Sequence, residues 1–274
     1  MLVSTFNTTF IGAGNMSSSI IGGLLNAGMA ADTLSAADPV QESLDRFQAL
    51  GLAYLGTDNR AAVANADVVV LAVKPQVLAT VCHTLAPALR PGQLVLSIAA
   101  GVELESLRSW LGEAPDLVRC MPNTPALLGL GASALYAPDS LSQEQRQRAA
   151  TIMQAVGVVR WVTDEDLLHT VTALSGSGPA YFFRVMEAMI ETAQTMGLDE
   201  ETARTLCAQT CLGAGHMLAD SDVDAAELRR RVTSPGGTTE RALASFEKAG
   251  LGDVVRHAME DCAARSVELA RELA

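Results

Sequence analysis

An apolar run, Thr8-Thr9-Phe10-Ile11, leads without a break into Gly12-Ala13-Gly14-Asn15-Met16-Ser17 and then into a helix-like stretch from Ser18 to Ala27. Strand, glycine turn and helix in that order constrain the fold more than any other part of the chain. They open a parallel βαβ sheet in which a dinucleotide rests its pyrophosphate on the start of the first helix. Gly12 allows the tight turn, and Gly14 lets a ligand come close to backbone N–H groups. The third fingerprint position is Ser17, where glycine or alanine is usual. Serine is still small enough for the helix to lie close on the strand.

The pattern that follows fits such a sheet. Leu34 to Ala37 reads as a second strand, ending in Asp38-Pro39. An acidic residue about twenty positions past the loop generally binds the ribose hydroxyls of NAD and repels a 2′-phosphate. Asp38 reads equally well as the cap of a helix opening at Pro39-Val40. Asp67 to Val73 is apolar after its first residue, as a central parallel strand should be. It ends in Lys74-Pro75, and Gln76 to Leu85 then looks helical. Lys74 either meets a cofactor at this strand end or is a solvated lysine. Leu94 to Ile98 and Leu117 to Met121 are further strands. The second ends in Pro122-Asn123-Thr124-Pro125, a rigid polar loop on the edge where α/β sheets bind ligands. Ala132 to Tyr136 and Val158 to Val162 read as the last strands, with a helix from Ser142 to Ala155 between them. Residues 1–163 are thus expected to form an α/β, Rossmann-like doubly wound sheet of about eight strands.

The texture changes near Thr163-Asp164. Asp164 to Leu174, Tyr181 to Met196, Glu200 to Leu218, Ala225 to Arg231, Glu240 to Lys248 and Leu251 to Ala270 suit helices, and no convincing strand remains. Residues 164–274 are expected to be an all-α C-terminal domain. Segments such as Cys207 to Met217 are apolar nearly all round, which calls for burial and points to a subunit interface.

Two glycine-rich turns lie in this helical part. In Val232-Thr233-Ser234-Pro235-Gly236-Gly237-Thr238-Thr239, Ser234 is expected to cap the next helix with Pro235 at its first position. Free N–H groups and a partial positive charge there suit a carboxylate or phosphate. The segment also reads as an ordinary capped helix start. Ser175-Gly176-Ser177-Gly178-Pro179-Ala180-Tyr181 reads either as a connector between helices or as a polar turn lining a cleft.

Composition excludes several classes. Hydrophobic residues make up 49% and charged residues 18%, so the chain folds around a core. A net charge of −12 leaves no basic face for tracking phosphates, so no nucleic-acid partner is expected. The five cysteines include no C-x-x-C pair, and reduced thiols are expected. Cys207, Cys211 and His216 make no complete ligand set, so no metal is expected. The uncharged stretch Met1 to Ala31 has no basic opening and is broken by Asn7, Asn15 and Asn26. No membrane span and a cytoplasmic location are expected.

Taken together, the motifs resemble the pyrroline-5-carboxylate reductase family. The pieces that carry the likeness are Phe10 to Met16, Ala72-Val73-Lys74-Pro75, Met121 to Ala126, Leu174 to Tyr181 and Leu228 to Glu247. They run in the family's order and span essentially the whole chain. The resemblance implies reduction of 1-pyrroline-5-carboxylate to L-proline by hydride transfer from NADPH or NADH. It also implies self-association through the C-terminal helices, as dimers and in some members decamers. The cofactor is expected at Gly12, Ala13, Gly14, Asn15, Met16, Ser17, Asp38, Asn59, Ala72, Val73, Lys74, Pro75, Asn123 and Thr124. NADP(H) is the family's usual partner, and Asp38 admits NAD(H). Substrate is expected at Ser175, Ser177, Gly236, Gly237, Thr238 and Thr239. Thr239 holds the ring nitrogen on this reading, and Ser234 stands beside it as a second catalytic residue. A hydroxyacid dehydrogenase of similar build would need a catalytic lysine in the helical part, where Lys248 is the sole lysine and no helical pattern places it in a site.

Overall fold

The computed structural model describes residues 6–274. Contacts divide the chain into two compact units: one runs to Ser177 and resumes at Asp261–Ala274, and the other is Gly178–Glu260.

In the first unit β1 (Thr8–Ile11), α1 (Asn15–Asn26), β2 (Leu34–Ala37), α2 (Gln41–Asp45), β3 (Tyr54–Gly56), α3 (Asn59–Val63), β4 (Val68–Leu71) and α4 (Pro75–Leu85) alternate strictly. β5 (Leu94–Ser97), α5 (Leu104–Leu111), β6 (Asp116–Met121), β7 (Gly131–Tyr136), α6 (Gln143–Gln154) and β8 (Gly157–Trp161) complete the sheet. The strand order is β3-β2-β1-β4-β5-β6-β7-β8. β1 to β6 are parallel, β7 is antiparallel to β6, and β8 runs parallel to β7. Ile11 pairs with Ala37 on one side and Leu71 on the other, and Leu71 pairs with Ser97. The chain therefore leaves four neighbouring strands at one level, and the loops that follow share one edge.

The central strands β1, β2, β4 and β5 are buried on both faces, which is why they read as largely apolar runs. Successive residues of β4 alternate between two cores. Val68 and Val70 join Phe10, Ile20 and Leu96 on one face, while Val69 and Leu71 join Leu78, Val95 and Leu107 on the other. Cys82 and Cys120 belong to these cores, and burial pushes both thiols up to about 12. The expected strands are present within a residue or two of their predicted ends. β3, with only three half-buried residues, is an eighth strand that no periodicity announced.

After β8 the chain is fastened back to the sheet. The buried Arg119 of β6 pairs with Glu165, whose carboxylate also accepts the Leu104 N–H at 2.7 Å. α7 (Leu167–Val171) then passes into a π-helical segment, Thr172–Gly176. The predicted glycine turn at Ser175 to Tyr181 is therefore corrected: the stretch is π-helical to Gly176, bends at Ser177 and is α-helical from Gly178. Buried His169 places Nδ1 2.9 Å from Ser266 Oγ, tying α7 to the end of the C-terminal helix.

The second unit holds α8 (Gly178–Thr195), α9 (Glu200–Ala219), α10 (Ala225–Arg231), α11 (Thr238–Lys248) and the start of α12 (Leu251–Leu273), which ends in the first unit. Asp199 caps α9 through the Thr202 N–H, and Asp224 caps α10 through the Glu227 N–H. Ala203 and Cys207 of α9 are buried, but Leu206, Leu212 and Met217 are exposed in the single chain. No helix among the described residues is long and apolar enough to cross a membrane.

Candidate active site

Every residue expected to touch the dinucleotide lies at or just past the carboxyl end of a parallel strand. The order of strands reverses between β1 and β4, the switch point at which such sheets open a crevice. Gly12 turns there with φ +99°, and a Cβ on it would sit 2.7 Å from the Ala72 carbonyl oxygen. Side-chain-bearing residues are excluded on both counts. A Cβ on Gly14, by contrast, would meet nothing within 4 Å. Gly14 is the N-cap of α1 and supplies no side-chain cap, so the first-turn N–H groups of α1 are not capped by a side chain. Ser17 itself is fully buried and donates to the Gly12 carbonyl at 2.6 Å. It supports the turn, its hydroxyl spent on the Gly12 carbonyl.

Asp38 uses both carboxylate oxygens on the backbone. Oδ2 accepts the Ala13 N–H at 2.8 Å, and Oδ1 accepts the Val40 N–H at 2.9 Å. The helix-cap reading of Asp38 is corrected, because α2 starts only at Gln41 with Val40 as its N-cap. Asp38 instead braces the glycine turn. Arg46 donates to Asn15 Oδ1 at 3.1 Å, so a cation stands beside the same turn. Asn59 opens α3 after β3, and its Oδ1 is buried with no partner among the described residues. Ala72 and Val73 are partly buried after β4, whereas Lys74 is exposed and Pro75 begins α4. Past β6, Thr124 is exposed. Asn123 is buried and bonded at both ends of its amide, to the Ser175 carbonyl and from the Ala132 N–H, each at 2.9 Å. That bond brings Ser175 to the carboxyl edge of the sheet. Ser177 is partly buried and lies 3.2 Å from Cys262 Sγ.

The Ser234 to Thr239 segment belongs to the other unit. Its first four residues form a turn in which the Gly237 N–H donates to the Ser234 carbonyl at 3.0 Å, with Gly236 at φ +70°. Pro235 followed by a left-handed glycine is the sequence such a turn requires. The expectation that Ser234 caps the helix is corrected: the N-cap is Gly237, and α11 begins at Thr238. Ser234 is exposed and starts the turn. The expected clamp is narrower too. The Gly236 N–H is taken by Glu240 Oε2 at 2.8 Å, and that of Gly237 by Ser234. The N–H groups of Thr238 and Thr239 remain, at the positive end of α11.

The Thr239 hydroxyl has no partner among the described residues. Elsewhere in the helices Thr172, Thr192 and Thr210 each donate to the carbonyl four residues earlier. Thr239 is the second residue of α11, so no turn of helix lies behind it to accept that bond.

Comparison with known proteins agrees over the whole chain. Residues 165–269 match the family described as pyrroline-5-carboxylate reductase dimerisation, and residues 7–101 match NADP oxidoreductase, coenzyme F420-dependent. A pyrroline-5-carboxylate reductase of Pseudomonas aeruginosa is 50% identical over 271 residues, spanning 99% of both chains. This chain belongs to the pyrroline-5-carboxylate reductase family. A reductase of Methanosarcina acetivorans is 39% identical over 96% of this chain and 97% of its own. The Coxiella burnetii reductase structure superposes with a TM-score of 0.93 at 42% identity, covering 97% of this chain and 99% of that one. The Plasmodium falciparum pyrroline carboxylate reductase, solved with NADP bound, gives 0.84 at 28% identity, covering 97% and 98%.

Membership in a family with a dimerisation domain accounts for the exposed apolar faces of the second unit. Phe182, Phe183, Met196 and Val254 are each more than 60% exposed in the single chain, and self-association is what buries such side chains. Sequence reading missed Arg46 and Cys262. An exposed arginine just past a short helix carries no motif, and Cys262 meets Ser177 across 85 residues of chain.

Proposed function

We propose that this chain reduces 1-pyrroline-5-carboxylate to L-proline with a reduced nicotinamide dinucleotide. The observation that carries the reading is that the chain holds two features, one in each unit. One is an open cradle at Gly12–Ser17. The other is the Thr238–Thr239 helix start, whose N–H groups and Thr239 hydroxyl are unspent. The dinucleotide fits the first: Gly14 leaves room for a pyrophosphate against the first turn of α1, and the orphaned Asn59 Oδ1 suits a ribose hydroxyl. Bound there, it supplies a hydride. Ala13 and Ser17 hold the turn, while Asn15, Met16, Ala72, Val73, Lys74, Pro75 and Thr124 border the cofactor.

The substrate is a cyclic imine with one carboxylate. The Thr238 and Thr239 N–H groups hold the carboxylate, and Gly236 and Gly237 shape the turn that presents them. The imine carbon gains a hydride and the nitrogen gains a proton. The C=N π bond is lost, and new C–H and N–H bonds replace it. The Thr239 hydroxyl donates to the nitrogen that receives the electron pair, while Ser175 and Ser177 line the nicotinamide side. No covalent intermediate is needed, so position and electrostatics supply the catalysis. We place the assembly at a dimer or, as in some of the family, a decamer. Light scattering that returned a monomer at micromolar concentration would remove that reading. The activity is tested by following nicotinamide absorbance with the cyclic imine added. A folded sample that binds nucleotide yet turns over neither NADPH nor NADH would refute it.

Cofactor choice turns on Asp38 and Arg46, which bring opposite charges to the same turn. NADPH is the expected partner, with NADH also accepted because the Asp38 carboxylate suits a ribose diol. Asp38→Ser should weaken both nucleotides by loosening the Ala13 N–H brace. It should weaken NADH more, because the 2′-phosphate is relieved of a like charge. Dissociation constants that rise in equal proportion would leave Asp38 as a brace alone.

A further inference from the structure

Asn123 lies in the loop after β6, and the Ser175–Ser177 stretch lies 52 residues further on. The geometry points to Asn123 as a positioning residue for the π-helical turn, one that acts on the substrate side and does not itself read the cofactor. The kinetic side of this inference rests on the imine-reductase reading; the structural side does not.

The chemistry begins with Pro179. In an α-helix the Ser175 carbonyl would accept the N–H of residue 179, and proline has none. The segment answers in two ways. Its backbone widens by one residue, so that the Ser177 N–H reaches back five positions to the Thr172 carbonyl at 2.8 Å. Asn123 Nδ2 then supplies the donor that Pro179 withholds, at 2.9 Å from the Ser175 oxygen. The other end of the amide is fixed as firmly, because Oδ1 accepts the Ala132 N–H at the start of β7. Asn123 is only 9% exposed, so neither bond competes freely with water. Met121, two residues earlier, closes the same gap: its Cε would lie 2.4 Å from a Cβ on Gly176. π-turns are rare, and they gather at functional sites. Here the turn decides which way Ser175 and Ser177 face. Relaxed to an α-helix, the residues on one side of it would rotate by roughly 100° relative to the other.

Asn123→Asp keeps the acceptor for Ala132 but sets a carboxylate against the Ser175 carbonyl. Its kcat for the imine should fall by about tenfold or more, as expected for misplaced reacting groups. Its nucleotide dissociation constant should stay within about twofold and its melting temperature should drop. Adding Pro179→Ala restores an N–H four residues after Ser175. The double variant should regain thermal stability without regaining kcat, because the turn is then free to become α. A residue that merely stabilised the fold would recover both together. Should Asn123→Asp not fold, the double variant carries the test, because its restored N–H satisfies the Ser175 carbonyl: unchanged nucleotide affinity with kcat reduced about tenfold. Three results would overturn the assignment: nucleotide affinity falling in step with kcat in Asn123→Asp, no recovery of stability in the double variant, or wild-type kcat in the double variant. If the unaltered chain itself fails to reduce the imine, the melting temperatures still decide the clamp.

Discussion

Gly12→Ala is expected to lower reduced-dinucleotide affinity by about a hundredfold or more and to destabilise the first unit at the same time. The added methyl meets two obstacles that cannot both be relieved. At φ +99° an L side chain strains the backbone, at a cost of about 1–3 kcal/mol. The methyl would also lie 2.7 Å from the Ala72 carbonyl oxygen and 2.9 Å from its carbon. These are backbone atoms of a central strand end, not the tip of a flexible side chain. Overpacking of this kind costs about another 1–3 kcal/mol, and the sum is a large part of a domain's usual margin of about 5–15 kcal/mol. Relief would require β1 and β4 to part at the carboxyl edge of the sheet. Gly14→Ala should behave differently. Its φ of −76° suits alanine, and nothing in the protein lies within 4 Å of the new methyl. The melting temperature should hardly move, while nucleotide affinity falls because the methyl occupies the approach of the pyrophosphate. Nucleotide titration beside thermal melts of the two variants separates the effects. A Gly14→Ala protein that binds nucleotide as the unaltered chain does would remove the phosphate cradle from that glycine.

The two glycines also show what a sequence can and cannot disclose. Gly12 and Gly14 were legible because the chemistry they serve is local: strand, turn and helix occupy consecutive residues. The central strands were legible because burial on both faces writes an unbroken apolar run. β3 was not, since three half-buried residues at the sheet's edge leave no period to read. The Ser175 to Tyr181 stretch was misread for a physical reason. Glycine, serine and proline ordinarily mark a turn, and here helical geometry survives because Asn123 and Met121, remote in sequence, fill the gaps those residues create. Asp38 was seen at its correct place at the end of β2, but its bond to the Ala13 N–H depends on how β1 and β2 lie side by side. The Ser234 segment was legible as a turn leading into a helix. The start of its helix was set too early, because Pro235 fits both the first turn of a helix and the second position of a β-turn. Only the left-handed Gly236 decides between them, and glycine in a sequence does not disclose the sign of its φ.

Thr239→Val tests the other half of the site. Valine keeps the branched shape of threonine and removes the hydroxyl alone. That hydroxyl bonds nothing within the protein, in contrast to Thr172, Thr192 and Thr210, whose hydroxyls are spent on their own helices. The fold therefore has little to lose, and the melting temperature should stay close to that of the unaltered chain. Dinucleotide affinity should also hold, because the cradle lies on the other unit. A positioned donor is worth on the order of 10²-fold in rate where charge develops. Water or the Thr239 N–H would replace part of that, so kcat/KM for the imine should fall by about tenfold or more. Thr239→Ser, which restores the hydroxyl, should recover most of the loss. The pair isolates the donor from the shape of the side chain, as neither substitution alone does. If Thr239→Val instead turned over the imine as fast as the unaltered chain, no hydroxyl would be needed at the ring nitrogen. The Thr238 and Thr239 N–H groups would then act only as a clamp for the carboxylate, and the proton would have to reach nitrogen from solvent.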